Sequence, residues 1–485
     1  MPNVFLLFPI LIPLVGAILL FLLSERSEKL RNAVALTFTL LTTAVTWVLV
    51  ILPPAEPLAL LNFAKDLDLA LRLDGAGRIF AGLSSALWPL ALIYAFDYMK
   101  GHGSLRNFYA FFTLSLAVTM GIALSANLLT MYLFYELLTL STLPLIMTGG
   151  EKAARVAVRK YMMYSFGGAA FVFAALTFLV HAGANDFVLG GTLTVRAGEE
   201  TLSAVMFLAA FFGFGVKAAV FPFHDWLPTA SVAPTPVTAL LHAVAVVKAG
   251  AFAVIRVIYY SYGADYLRGT PLQYVVMGFA LFTLLFASAM ALKQTHLKRR
   301  LAYSTVSNLS YILFAASLSS EAGLLAAFLH MVFHSCMKMP EFLAAGAVLH
   351  YTHREFVKDV EGLGRKMPLT FLAFGLCGLS LAGIPPFSGF YSKWMIAVAA
   401  IDSKNTLAVV GVGVLLLAAL FAAIYVTSVT VRAFFPRPGT TTGLENVREA
   451  SPLMTVPMLL LALVTLVFGL CGGMLSQLFA ALLFG

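Results

Sequence analysis

Charge is what this chain has least of. Asp, Glu, Lys and Arg make up 11% of its 485 residues, against 61% hydrophobic residues and a mean hydropathy of +0.93, whereas a soluble domain carries about a quarter charged residues. That shortage excludes an ordinary soluble protein and leaves a chain suited to a bilayer. Cysteine is also scarce: Cys336, Cys377 and Cys471 all sit in apolar segments without C-x-x-C spacing, so neither a disulfide framework nor a thiol metal site is expected. Walker, dinucleotide, haem-attachment and zinc signatures are all missing. No cofactor and no metal are therefore expected, and the chain itself has no hydrolytic or redox site. The net charge of +9 does not point to nucleic acid, because the basic residues lie in short connections between apolar runs. The first run, Val4 to Leu23, has neither a basic lead nor a cleavage signature, which predicts a retained helix and not a signal peptide.

What the chain has in abundance is apolar length. A helical span needs about 20 predominantly apolar residues, and fourteen segments qualify: 4–23, 32–52, 77–98, 108–124, 126–148, 161–182, 202–221, 236–260, 273–292, 301–318, 322–349, 368–400, 406–434 and 452–482. The prediction is an all-α integral membrane protein with a single membrane domain over 1–485. Three helices fill 1–107, one five-helix unit fills 108–260, a second fills 273–434, and a last helix covers 452–482. Of the 31 Lys and Arg residues, twenty follow odd-numbered spans and six follow even-numbered ones. The positive-inside tendency then puts both termini on the outer side of a cell membrane.

Two spans are predicted to break. The 33 residues from Pro368 to Ala400 would make a helix of about 50 Å, too long for a hydrocarbon core of roughly 30 Å. They contain Gly383-Ile384-Pro385-Pro386-Phe387-Ser388-Gly389, where prolines remove donors and glycines permit irregular backbone. The seventh span runs through Gly213-Phe214-Gly215 into Phe221-Pro222-Phe223-His224-Asp225-Trp226-Leu227-Pro228, punctuated in the same way. Helices 4–8 and 9–13 would then be inverted repeats, each broken at its fourth helix, since an odd helix count turns the second copy over.

Five cations remain inside spans: Lys217, Lys248, Arg256, Lys338 and Lys393. Unpaired at the bilayer centre they would cost roughly 12–17 kcal/mol together, which demands partners or a function. Glu136 is the one acid near the middle of a span, and Glu341 is a less central second. Glu136 pairs either as a fixed helix-to-helix salt bridge or as a switchable partner of Lys217 that tunes proton affinity. Lys248 is too deep to snorkel, and a desolvated lysine can exchange protons. His330, His334 and Lys338 fall at i, i+4 and i+8 on one helix face, an arrangement suited to a proton relay. A metal site at the two histidines lacks further ligands, since Cys336 points to another face. Lys393 follows the Pro-Pro break, either as a proton site or as an anchor for the freed carbonyls. Arg256 is assigned as a snorkelling anchor and His181 as an interfacial residue, both outside the path.

The Glu136 segment, the block VKAAVFPFHDWLPTASVAPTPVTALLHAVAVVKAGAF, the stretch HMVFHSCMK and LAGIPPFSGFYSKW together resemble the antiporter-like subunits shared by Mrp-type Na+/H+ antiporters, respiratory complex I and membrane-bound energy-converting hydrogenases. The resemblance implies a proton path along a hydrophilic axis. Glu136 and Lys217 would be the switchable pair, Lys248 the central carrier, His330, His334 and Lys338 the lateral link and Lys393 the terminal site. His224 and His242 would line the inner access. It also implies protons as cargo, with or without Na+, and other membrane subunits as partners. Some members carry glutamate at the last site; Lys393 makes the chain look like the D-type Mrp subunit. The absence of a long lateral helix speaks against the distal complex I subunit and the A-type Mrp subunit. The alternative is a pump subunit of a redox-driven translocase.

Overall fold

In the computed structural model, which describes residues 1–25, 27–64, 67–101, 103–148, 152–438 and 444–485, the apolar runs close their own backbone hydrogen bonds as helices, as backbone must in a bilayer. Arg26 and Lys65, both part of the charge count above, lie outside the described residues. The chain starts with a 3-10 turn, Asn3–Leu7, leading into α1 Phe8–Leu22, then α2 Glu28–Ile51. An antiparallel hairpin follows, β1 Leu58–Ala64 with β2 Leu67–Leu71, and then α3 Gly75–Tyr98. The first five-helix run is α4 Leu105–Ala123, α5 Leu128–Met147, α6 Lys152–His181, a broken passage α7 Glu200–Gly215 and α8 Trp226–Ala230, and a passage α9 Thr235–Ala243 and α10 Val246–Arg256 that continues as a π-helix, Val257–Tyr262. After the short α11 Ala264–Leu267 come α12 Pro271–Lys293, α13 Leu297–Ser317, α14 Glu321–Thr352, a broken passage α15 Pro368–Ala382 and α16 Ser388–Asp402, and α17 Thr406–Phe434. The last passage is α18 Pro452–Leu470 with α19 Gly472–Phe484.

Each of the fourteen predicted spans corresponds to one of these passages. Eleven helical stretches among the described residues are each long and apolar enough to cross a membrane. The other three passages are the two broken ones and α13, whose hydropathy is lowered by Ser304, Thr305, Ser307, Asn308 and Ser310. Polar caps set the starts: Asp74 accepts from the Gly77 N–H, Asn127 from Thr130, Ser320 from Gly323 and Asn405 from Leu407, satisfying donors that a helix N-terminus leaves free. The hairpin was not foreseen, because its short strands lie between spans where the search was for long apolar runs.

Burial is graded. The passage Thr235–Tyr262 is wholly buried and α14 nearly so, whereas α17 turns Val410, Leu416 and Leu420 outward. Lys248, Arg256 and Lys338 therefore sit on the innermost helices. Both predicted breaks are present. Gly383 ends α15 in the left-handed region at φ +87°, its N–H bonded to the Leu379 and Ser380 carbonyls, a conformation that glycine adopts without penalty. A third break, at Val244–Ala245 between α9 and α10, corrects the expectation of one continuous helix over 236–260. No proline or glycine marks it, so the local sequence carried no signal.

Gly250 lets α10 lie directly on the seventh passage. A Cβ there would stand 2.5 Å from the Ala218 nitrogen and 2.7 Å from the Lys217 carbonyl carbon, which are backbone atoms that cannot swing away. Gly250→Ala is expected to destabilise the protein by about 1–3 kcal/mol through overpacking. A lower melting temperature in detergent would register it; an unchanged one would mean that this contact is slack.

Candidate functional site

Lys248 is the third residue of α10, just past the unforeseen break. Its side chain is fully buried. The Nζ donates to the His242 carbonyl at 3.2 Å, near the C-terminal end of α9, where the helix dipole favours a cation. It also lies 2.7 Å from Nδ1 of His334 on α14. The His334 ring stacks on His330 with centroids 6.0 Å apart and planes at 14°, as residues one turn apart can. His330 Nδ1 is 2.9 Å from the Ser392 hydroxyl on α16, the neighbour in sequence of Lys393. The result is a buried row, Lys248, His334, His330 and Ser392, crossing three passages.

Lys393 closes this row at its far end. Its Nζ donates to the Leu381 carbonyl at 2.6 Å, in the last turn of α15, and lies 4.9 Å from the centre of the Tyr311 ring. The same ring is 5.2 Å from His330. Lys248 and Lys393 thus share one device, an ammonium held on a carbonyl at the end of an interrupted helix. The bond to the Leu381 carbonyl is the contact that the anchoring reading of Lys393 expects.

The Glu136–Lys217 pair is open. No ion pair joins them among the described residues. The Lys217 ammonium instead donates to the Tyr135 backbone carbonyl and rests 3.4 Å from the centre of the Tyr135 ring. Successive helix residues point about 100° apart, so a lysine seated on Tyr135 faces away from Glu136. The charges still act on each other through space, and Glu136 Oε1 has no hydrogen-bond partner among the described residues.

Lys338 departs from its assigned place in the row. It shares a helix face with His330 and His334, but its ammonium turns to Glu341 Oε2 at 2.7 Å and to the Ser304 hydroxyl. The i, i+3 spacing that brings Lys338 and Glu341 together was present in the sequence, and the acid was passed over as less central. His242 is fully buried, with both ring nitrogens unpartnered among the described residues, deeper than a residue lining an access route. His224 stacks on Phe221 with centroids 5.6 Å apart. Next to it Asp225 pairs with Lys160.

Arg256 is corrected outright. It does not snorkel: its side chain is fully buried and forms a two-pronged pair with Asp74, at 2.5 and 2.6 Å. The Tyr260, Phe252 and Phe187 rings surround the guanidinium at 4.4, 4.9 and 5.0 Å. Lys298, buried and bonded to the Ala233 carbonyl at 3.2 Å, also escaped notice, because it opens α13 and reads as part of a basic connection.

Comparison with known proteins places this geometry. The family described as "NADH:quinone oxidoreductase/Mrp antiporter, TM" matches residues 125–421. The Na(+)/H(+) antiporter subunit A1 of Staphylococcus haemolyticus (strain JCSC1435) is 34% identical over 439 residues, 84% of this chain and 53% of that protein. NADH-quinone oxidoreductase subunit N of Desulforudis audaxviator (strain MP104C) is 34% identical over 402 residues, 78% of this chain and 77% of that protein. The chain spans about half the length of the A1 subunits it matches. Two solved structures share the fold at a TM-score of 0.86. One is a chain of the Mrp complex from Dietzia sp. DQ12-45-1b, 21% identical and covering 100% of this chain and 97% of that one. The other belongs to the membrane-bound sulfane sulfur reductase, an archaeal respiratory membrane complex, 24% identical and covering 99% of this chain and 98% of that one.

Proposed function

Because this chain belongs to the NADH:quinone oxidoreductase/Mrp antiporter transmembrane family, we propose that it translocates protons along the row from Lys248 through His334 and His330 to Lys393, as one subunit of a larger membrane complex. The chain is a multi-pass, antiporter-like membrane subunit. The observation that carries the proposal is the buried row in which Lys248 meets His334, the His334 ring stacks on His330 and His330 meets Ser392. Imidazoles and amines can both take up and release a proton. Glu136 and Lys217 form the electrostatic switch at the start of this row. With the pair open, the Lys217 ammonium is free of its counter-ion. Closing it would move the charge along α5 from Tyr135 to Glu136 and change what Lys248 feels across Gly250.

In the reading we favour, the complex is an Mrp-type antiporter in which this chain stands in the place of the D-type subunit, in the cell membrane with both termini outside, exchanging protons for sodium under the membrane potential. A second reading makes it a pump subunit driven by electron transfer elsewhere. The observation in its favour is that the Desulforudis oxidoreductase subunit is matched over 77% of its length, against 53% for the Staphylococcus antiporter subunit. Subunits that co-purify decide between them: iron-sulfur or nickel-iron proteins select the second reading, and small membrane subunits without redox centres select the first.

Glu136→Gln is expected to slow proton movement by about tenfold or more in vesicles carrying the assembled complex, since each 1.4 kcal/mol of lost electrostatic work is a tenfold change in rate. A pH-sensitive dye in the lumen would follow it. Transport at the wild-type rate would remove Glu136 from the switch.

A further inference from the structure

Glu341 is a buried acid that the row above does not use. It lies fully buried in α14, three residues after Lys338, with Oε2 2.7 Å from the lysine Nζ. Its Oε1 has no hydrogen-bond partner among the described residues and faces α15, where a Cβ on Gly378 would stand 3.8 Å away. The Tyr425 hydroxyl on α17 is likewise buried and without a hydrogen-bond partner among the described residues. The Ser304 hydroxyl on α13 also faces the pair, accepting from the Lys338 ammonium.

Lys338 and His242 share one neighbour, Phe342. Both lie against the Phe342 ring, the ammonium 5.6 Å and the imidazole 4.5 Å from its centre. His242 offers two buried nitrogens without partners, and its own carbonyl is the one that holds Lys248. The Phe342 ring thus links the Glu341–Lys338 pair to His242, whose backbone holds Lys248. Pro340 lies between Lys338 and Glu341 inside the helix and has no N–H to give the Cys336 carbonyl, which weakens α14 between the two partners. A buried ion pair of this kind adds little to stability over a well-packed apolar pair, so stability alone gives no reason for the pair to be there.

We propose that Glu341 is a proton-carrying residue that loads Lys248 through Lys338 and His242, making Lys338–Glu341 a second switchable ion pair. The inference rests on the proton-carrying reading of Lys248. A proton arriving on Glu341 cancels the carboxylate charge and releases the Lys338 ammonium. The ammonium turns to His242 and gives it a proton. His242 passes that proton to Lys248, which as a neutral amine has already given its own proton to His334, while the neutral Lys338 amine takes the proton from Glu341 and the pair closes again. One proton has then moved from Glu341 to Lys248.

The test uses the assembled complex in vesicles with a luminal pH dye. Glu341→Gln keeps the size and an acceptor oxygen for Lys338 but cannot carry a proton, and is expected to slow proton uptake by about a hundredfold. The double variant Glu341→Leu with Lys338→Met leaves no orphaned charge, so it covers the case in which the single variant fails to assemble. It is expected to stay inactive; recovery of the wild-type rate would mean that the pair is only structural and would overturn the proposal. A wild-type rate in Glu341→Gln would overturn it as well. Lys248→Arg, measured alongside, tests the underlying reading separately: normal transport in that variant removes the row itself, whatever the Glu341 variants do.

Discussion

Replacing Lys248 with methionine is expected to abolish proton translocation in a normally assembled complex while leaving thermal stability nearly unchanged. Methionine fills most of the lysine's volume, so no large cavity opens. Removing a buried cation that has no acid against it relieves about 2.5–3.5 kcal/mol on membrane insertion scales. Against that stand two lost hydrogen bonds, to the His242 carbonyl and to His334 Nδ1, each of which leaves a buried acceptor at a cost of about 1–3 kcal/mol. The two sides nearly cancel. The row, however, loses the group that joins the first five-helix run to the second, and His334 is left with no proton donor on its Nδ1 side. Lys248→Arg sharpens the test, because the guanidinium keeps the charge but does not release its proton. Loss of transport in both variants, with intact assembly by size-exclusion chromatography, assigns proton exchange to this residue. Transport by the arginine variant would mean that Lys248 supplies charge alone, and the path would have to bypass it.

How much of this could be read beforehand depended on distance along the chain. The spans were legible because apolar length is a property of consecutive residues. The breaks at Pro222 and at Pro385-Pro386 were legible because proline and glycine act locally. The break at Ala245 was not, because tertiary packing imposes it on a stretch of Ala and Val that would equally form a straight helix. His330 and His334 could be placed on one face by spacing. Their join to Lys248 spans 86 residues and depends on how α10 packs beside α14. Of the expected lateral link, the histidines stand beside Lys248 and Ser392, whereas Lys338 turns to Glu341, an acid three residues on along its own helix.

The widest gap between sequence and structure is the Asp74–Arg256 pair, 182 residues apart, and it carries the largest expected effect on stability. Asp74→Asn should cost about 3–5 kcal/mol, because it leaves a fully buried guanidinium without its counter-ion. Asparagine caps a helix about as well as aspartate, so the α3 start at Gly77 survives and the loss can be assigned to the pair. Arg256→Met should cost less. Asp74 is 22% exposed against 0% for Arg256, so the orphaned carboxylate can draw on water where the orphaned guanidinium, walled by Tyr260, Phe252 and Phe187, cannot. Combining the two substitutions should recover most of the Asp74→Asn loss, since neither charge is then left alone. Melting temperatures of the three variants in detergent give the order directly: Asp74→Asn lowest, the double variant and Arg256→Met above it. Equal losses in the two single variants would mean that the guanidinium has access to water after all. Because Arg256 ends the same helix that carries Lys248, Asp74→Asn should also slow proton transport without touching any group in the row. The N-terminal helices then have a role that their own sequence, with no ionisable residue in the path, did not disclose: through Asp74 they hold α10 at the depth where Lys248 meets His334.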